Sequence, residues 1–220
     1  MINITNEDNM LLMARYPDNY FDLAIVDPPY GIGDVNQTAS KKCHKKIQWN
    51  NYIPSDEYFS ELYRVSKNQI IWGSNYYQNK IKSVGRIIHN KDPKDIQLKE
   101  LSSADIASHS FGVNVKIFTF EWRGNVQGNT INWKNEGKNA RIHPTQKPVE
   151  LYEWIFAKYA KENDKILDTH LGSGSIAIAI DNVNKIEKMN LTLTACELDP
   201  DYFKAAMKRI EQQTAQQTIF

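Results

Sequence analysis

Lys165-Ile166-Leu167-Asp168-Thr169-His170-Leu171-Gly172-Ser173-Gly174-Ser175-Ile176-Ala177 runs in order through an apolar strand, an acidic residue, a glycine turn and the start of a helix. It contains a G-x-G-x-x-A spacing at Gly172, Gly174 and Ala177. Glycines at such a turn let a ligand approach the backbone closely and let the helix pack on its strand. Glu197 ends the next strand-like run, 23 residues beyond Gly174, where a carboxylate can accept hydrogen bonds from both hydroxyls of a ribose. This spacing suits a nicotinamide dinucleotide as well as an adenosyl ligand. A turn that only packs a helix on a sheet would need the same glycines.

Working outward, strand-like apolar runs recur at Leu23 to Val26, Gln69 to Trp72, Arg86 to His89, Val115 to Phe120, Lys165 to Asp168 and Leu191 to Cys196, several separated by helix-like segments. That alternation predicts an α/β fold. Pro148 to Lys161 is the clearest helix, with Pro148 suited to its first position and Leu151, Ile155 and Tyr159 on one face. Further helices are expected from Ser175 to about Asp181 and from Pro200 to Gln212. Residues 31–48 and 123–142 are polar, charged and aperiodic, so both read as loops. The length predicts one domain over residues 1–220.

The first strand-like run is followed by Asp27-Pro28-Pro29-Tyr30, a carboxylate, two imino acids and an aromatic ring. Prolines remove backbone donors and fix φ, so this loop is stiff and presents carbonyl oxygens with few amide hydrogens nearby. Stiff acceptors beside a ring suit an exocyclic amino group on a flat base. A Pro-Pro turn closing a strand beside a solvated Asp27 would use the same tripeptide. His143-Pro144-Thr145-Gln146-Lys147-Pro148 precedes the long helix and brings a cation and hydrogen-bonding side chains to a helix N-terminus, where an anionic ligand group is favoured.

Composition narrows the classes. A net charge of +1 supplies no global attraction to nucleic acid, so such binding would depend on local patches. Two exist, at Lys41, Lys42, His44, Lys45 and Lys46 and at Lys134, Lys138, Arg141, His143 and Lys147. Cys43 and Cys196 have no metal-ligand spacing and predict reduced thiols rather than a metal site. Met1 to Asn9 is polar with no apolar core, and no long apolar run follows, which predicts a cytoplasmic protein without a membrane span.

DPPY first, HPTQKP later, then the glycine turn and Cys196-Glu197-Leu198-Asp199-Pro200 together resemble the S-adenosylmethionine-dependent DNA amino-methyltransferases of the β-type, in which the catalytic motif precedes the cofactor motif. The resemblance spans nearly the whole chain, and its size and wording look closest to phage or prophage members. It implies a Rossmann-like, doubly wound, mostly parallel seven-stranded sheet of permuted motif order, with an antiparallel strand near one edge. It also implies a small target-recognition region within about residues 74–140, which suggests a short or relaxed DNA site or help from a homodimer partner.

By the same resemblance, the Asp27 side chain and the Pro28 carbonyl would accept both amino hydrogens of adenine, Pro29 would keep the loop rigid and Tyr30 would stack on the base. Glu197 would hold the ribose of S-adenosylmethionine, and Leu171, Gly172, Ser173, Gly174 and Ser175 would face its backbone. Asp168 would orient the turn, Gln146 and Lys147 would meet the carboxylate end, and Asp8 would lie near the adenine unless it simply caps a helix. Lys41, Lys42, Lys45, Lys46 and Arg141 are the expected nucleic-acid contacts. Where many relatives carry Phe before the glycines, this chain has His170 and Leu171. Asp at the first catalytic position points to adenine rather than cytosine. An RNA methyltransferase, a non-catalytic nucleic-acid-binding homologue and a nicotinamide oxidoreductase are the alternatives, and the last leaves DPPY and HPTQKP without roles.

Overall fold

The computed structural model describes residues 1–33, 52–77, 79–94, 102–123, 126–128, 130–131, 141–143 and 145–215. Lys41, Lys42, Lys45 and Lys46, together with Cys43, His44, Lys134, Lys138 and Pro144, lie outside the described residues.

Eleven strands and five helices follow in chain order among the described residues: β1 (Ile2–Thr5), α1 (Asn9–Met13), β2 (Phe21–Val26), α2 (Asp56–Val65), β3 (Ser66–Trp72), β4 (Gly85–Asn90), β5 (Ala104–His109), β6 (Val115–Thr119), β7 (Trp122–Arg123), β8 (Val126–Gln127), β9 (Thr130–Ile131), α3 (Val149–Tyr159), β10 (Lys165–Asp168), α4 (Ser175–Ile186), β11 (Thr192–Cys196) and α5 (Pro200–Thr214). Eight strands form one sheet in the order β1-β11-β10-β2-β3-β5-β4-β6, and β7, β8 and β9 form a small antiparallel sheet. Every pairing in the large sheet is parallel except the two made by β5. The sheet is therefore doubly wound and mostly parallel, with its antiparallel strand third from the β6 edge.

Eight strands replace the expected seven, and two of them gave no readable signal. β1 is four residues long and pairs with β11 from Ile2↔Leu193 to Thr5↔Cys196, too short and too polar to stand out. β5 is Ala-Asp-Ile-Ala-Ser-His; β3 and β4 pair with both of its edges, and Ala107, Ser108 and His109 are fully buried, Ala107 in the core and His109 against Tyr159 of α3. Tertiary context rather than strand propensity put these small and polar residues into the sheet.

β2 carries the pattern of a strand buried on both faces. Leu23 and Ile25 pack with Ile166, Leu193 and the α3 and α4 side chains Leu151, Ile155, Phe156, Ile176 and Ile180. Ala24 and Val26 pack on the other face with Leu167, Cys196 and the α1 and α2 side chains Leu12, Met13, Phe59, Leu62 and Val65. Pro148 is the N-cap of α3 rather than its first residue, and α4 continues to Ile186, past the expected end near Asp181. No described helix is long and apolar enough to cross a membrane.

The pairing Ile166↔Leu23 and Leu167↔Ala24 is what positions the site. β10 and β2 are parallel neighbours, so the Asp27 loop and the glycine turn leave the sheet side by side at its carboxyl edge, where open α/β sheets bind ligands.

Candidate active site

A cavity of about 640 Å³ opens at that edge. Of the candidate residues named from the sequence, Asp8, Asp27, Pro29, Gln146, Lys147, Leu171, Gly172, Ser173 and Glu197 line it. Pro28, Tyr30, Asp168, Gly174 and Ser175 do not line it but adjoin those that do. Arg141 is elsewhere, with its guanidinium over the Trp122 ring at 5.6 Å.

The Asp27 loop is held by tyrosines. The Tyr30 hydroxyl donates to Asp27 Oδ1 at 2.5 Å, and its ring stacks on Tyr76 at 4.9 Å and 15°. The Tyr77 hydroxyl donates to the carbonyls of both Pro28 and Pro29, at 2.6 and 2.7 Å. A carbonyl oxygen has two lone pairs, so each proline keeps acceptor capacity after this bond. Gly73 (φ +73°), just beyond β3, makes room for the Tyr30 ring, since a Cβ there would fall 2.3 Å from its Cε1 atom.

The glycine turn is built differently. Gly172 and Gly174 have φ of +56° and +75°, the left-handed region where glycine alone pays no steric penalty. Glu197 Oε2 accepts the Gly172 amide at 2.9 Å and its Oε1 accepts the Asp199 amide at 3.0 Å. Behind the turn, the buried Arg209 of α5 donates to the Ser173 carbonyl at 2.8 Å and to Ser175 Oγ at 3.0 Å. Burial pushes the Asp168 carboxyl up to about 8, with Asp27 and Glu197 adding to the effect, although it accepts the His170 amide at 2.9 Å. Burial also pushes the His170 imidazole down to about 3, so the ring is neutral. Its Nδ1 meets Thr169 Oγ1 at 2.9 Å and its Nε2 meets Asn9 Nδ2 at 3.2 Å. Asp8 caps α1, accepting from the amides of Met10 and Leu11 while also facing the cavity.

The described residues of HPTQKP are tied to one another and to their neighbours. His143 Nδ1 accepts from the Thr145 amide at 3.3 Å, Gln146 Oε1 accepts from the Ile142 amide at 3.0 Å, and Trp122 Nε1 donates to the Gln146 carbonyl at 2.7 Å. The sequence reading sent Lys147 toward an anionic ligand group. The structure sends its buried ammonium to Asp27 Oδ2 at 2.9 Å, with Asp105 Oδ2 at 3.6 Å. Burial alone would lower the Lys147 pKa, but Asp27 and Asp105 raise it above the usual lysine value, so it is a cation.

Sequence reasoning missed the residues that support these motifs from elsewhere: Tyr58, bonded to Thr169 at 2.7 Å, Tyr77, Asp105, and the cavity wall Tyr52, Ile53 and Pro54. None belongs to a motif. Tyr58 alone carried a signal, because Ser55 followed by Asp56, Glu57, Tyr58, Phe59 and Leu62 is a capped amphipathic helix start.

An α/β sheet of this order, with an acceptor loop and a glycine turn adjoining at one cavity, defines the class I methyltransferase architecture. A DNA methylase family model matches residues 116–208, from β6 through the glycine turn into α5, and does not reach DPPY. The Type II methyltransferase M.HpaI of Haemophilus parainfluenzae is 25% identical over 91% of this chain and 71% of its own length. Of two further Type II methyltransferases the chain spans 63% and 56% of the length. Among solved structures, the M1.HpyAVI–SAM complex superposes with a TM-score of 0.55 at 18% identity, covering 96% of this chain and 99% of that one. The PvuII DNA methyltransferase (cytosine-N4-specific) superposes with a TM-score of 0.60 at 13% identity, covering 94% and 86%. The chain is thus similar over most of its length to Type II DNA methyltransferases, and its β6-to-α5 segment matches the DNA methylase model.

Proposed function

We propose that this protein transfers a methyl group from S-adenosylmethionine to the exocyclic amino nitrogen of adenine in DNA. The observation that carries this reading is the adjacency of the Asp27-Pro28 acceptors and the glycine turn across one strand pairing, Leu167↔Ala24, at the mouth of a single cavity. A cavity of about 640 Å³ is in the range that holds a cofactor of this size. Its chemistry also fits: Glu197 lines it with a carboxylate whose two oxygens each hold one backbone amide and keep lone pairs for ribose hydroxyls.

When bound, S-adenosylmethionine supplies an electrophilic methyl group on a sulfonium. The residues of this chain do the rest. An aromatic amine is a poor nucleophile because its lone pair is delocalised into the ring. Asp27 and the Pro28 carbonyl would accept its two hydrogens, which turns the lone pair out of the ring plane and stabilises the positive charge that develops on nitrogen. The C–S bond breaks to leave a neutral thioether, and the nitrogen gives up one proton by way of Asp27 to water. Tyr30, stacked on Tyr76 on one side, adjoins the cavity, and an extruded base would have to stack on its other side. Extrusion costs a few kcal/mol, and stacking worth about 1–3 kcal/mol offsets much of it. Gly172 and Ser173 would allow the cofactor to approach the backbone closely, with His143 and Leu171 lining the same cavity.

The test is incubation with S-adenosylmethionine and unmethylated DNA, digestion to nucleosides and mass spectrometry, with Asp27→Ala alongside. The expected product is adenine methylated on its amino group, with the rate lost by about a thousandfold or more in Asp27→Ala while cofactor binding by calorimetry is retained. Methyl on the cytosine amino group would reassign the base. Cofactor binding without methylation of any DNA would refute the reading.

A further inference from the structure

Lys147 is the least expected feature of the site. Its ammonium is buried between two carboxylates, 2.9 Å from Asp27 Oδ2 and 3.6 Å from Asp105 Oδ2, with its Nζ 5.0 Å from the Trp72 ring centroid. Tyr30 occupies Asp27 Oδ1. Both oxygens of the carboxylate proposed to receive the base are therefore engaged, and one of them holds a full positive charge. A buried cation cannot leave its partner without another anion to receive it.

Asp105 is that anion. It sits on β5, the antiparallel strand, outside every motif of the sequence. Lys91 holds its Oδ1 at 2.8 Å, and its Oδ2 faces Lys147 at 3.6 Å with His89 Nδ1 at 3.7 Å. Burial would raise the Asp105 pKa, but Lys147, His89 and Lys91 hold it well below the usual carboxylate range, so it is ionised. A shift of about 1 Å would carry Lys147 Nζ from hydrogen-bonding distance of Asp27 to hydrogen-bonding distance of Asp105.

Resting on the amino-methyltransfer reading, the geometry points to Asp105 as a positioning residue that receives the Lys147 ammonium when the target amino group takes its place at Asp27 Oδ2. The count of buried charges does not change in the exchange. Asp27 is charge-paired while the site waits and free to accept the amino hydrogen when the base enters.

A double-mutant cycle on the full chain tests this, reading kcat and KM for methyl transfer and cofactor affinity by calorimetry. Asp105→Asn keeps the shape but removes the charge, leaving Lys147 committed to Asp27. Its kcat is expected to fall by about 10- to 100-fold with cofactor affinity within about threefold of the parent, and Asp105→Glu to recover most of the loss. On a Lys147→Met background, Asp105→Asn is expected to cost less than about twofold more, because the cation it controls is gone. Lys91→Gln removes the competing cation from Asp105 and is expected to hold kcat within about threefold of the parent or to raise it.

Four results would overturn the inference. They are an Asp105→Asn variant with parental kcat, the same loss with or without Lys147, an Asp105→Glu variant as impaired as Asp105→Asn, or a Lys91→Gln loss above about tenfold. If Asp105→Asn fails to fold, Asp105→Ser replaces it in the cycle, with the same expected loss and the same dependence on Lys147. A parent that methylates DNA while Asp105→Asn is indifferent sinks this inference alone. A parent that methylates no DNA sinks the reading and the inference together.

Discussion

Two loops meet at the site, each beginning with an aspartate at the end of a buried strand, and they are stiffened by opposite means. The Asp27 loop has prolines, and its carbonyls are pinned from outside by Tyr77. The Asp168 loop has glycines in left-handed conformation, and its shape is set by α5, which backs it with Arg209 and Ile210. Asp27 pairs with a cation, while the charge of Asp168 would face two other carboxylates, so burial keeps a proton on it. The difference matches what each loop presents. Fixed acceptors need carbonyls without competing donors, and close backbone approach to a ligand needs an absence of side chains. Substitutions that respect one means of stiffening and violate the other should therefore separate the loops by readout.

The largest effect is expected at Gly174. A Cβ there would lie 2.7 Å from Ile210 Cδ1 and 2.9 Å from its Cγ1, at a φ of +75°. Gly174→Val combines a left-handed β-branched residue with overpacking, so a loss of roughly 3 kcal/mol or more is expected, or about 10 °C in Tm. Cofactor affinity should fall with it by at least about tenfold, because the turn cannot keep its shape. Thermal unfolding and calorimetry check both. A destabilised variant with parental cofactor affinity would break the assignment of this turn to the cofactor.

The two motifs were legible in the sequence because glycine and proline declare backbone chemistry directly, and their adjacency needed only the rule that parallel strands share a carboxyl edge. The apolar runs of β2, β10 and β11 were legible because both faces of those strands are buried. What escaped was set by packing. β5 entered the sheet on the strength of its neighbours, and with it Asp105 became part of the site. Lys147 was visible as a cation, but its partner could not be read, because the choice between a ligand and Asp27 depends on the lateral placement of β2 against α3. Tyr77 lies 49 residues from Pro28, and nothing in its own neighbourhood announces a hydroxyl aimed at two proline carbonyls.

An intermediate effect, visible in its pH dependence, is expected at Asp168. Its carboxyl titrates near 8 in the folded chain and near 3.9 in an unfolded one. Between those values the folded protein holds a proton that the unfolded chain has released, so this group's contribution to stability is full below about pH 4 and is lost as pH rises through about 8. Asp168→Asn keeps the oxygen that accepts the His170 amide and cannot ionise. Its Tm should therefore decline less than the parent's between about pH 6 and 9, opening a gap of roughly 5 °C at the alkaline end. Parallel curves for the two proteins would mean that Asp168 is already ionised and compensated, and the contrast with Asp27 would disappear.

The smallest effect is expected at Tyr77, and it is the most direct probe of the acceptor loop. Tyr77→Phe preserves the buried ring and removes only the hydroxyl shared by Pro28 and Pro29. Leaving buried acceptors unpaired costs about 1–3 kcal/mol, and because one hydroxyl hydrogen shared between two carbonyls bonds neither at full strength, the loss should sit near the low end. A fall in Tm of about 2–4 °C is expected. The functional consequence should be a reduction in kcat of roughly three- to tenfold, because the Pro28 carbonyl is no longer fixed where the amino hydrogen must find it. Cofactor affinity should stay at the parental value, since the glycine turn takes its shape from α5 and Glu197 rather than from Tyr77. If affinity falls along with kcat, the two loops do not hold their shapes independently, and the cavity responds as one unit to the loss of a single hydroxyl.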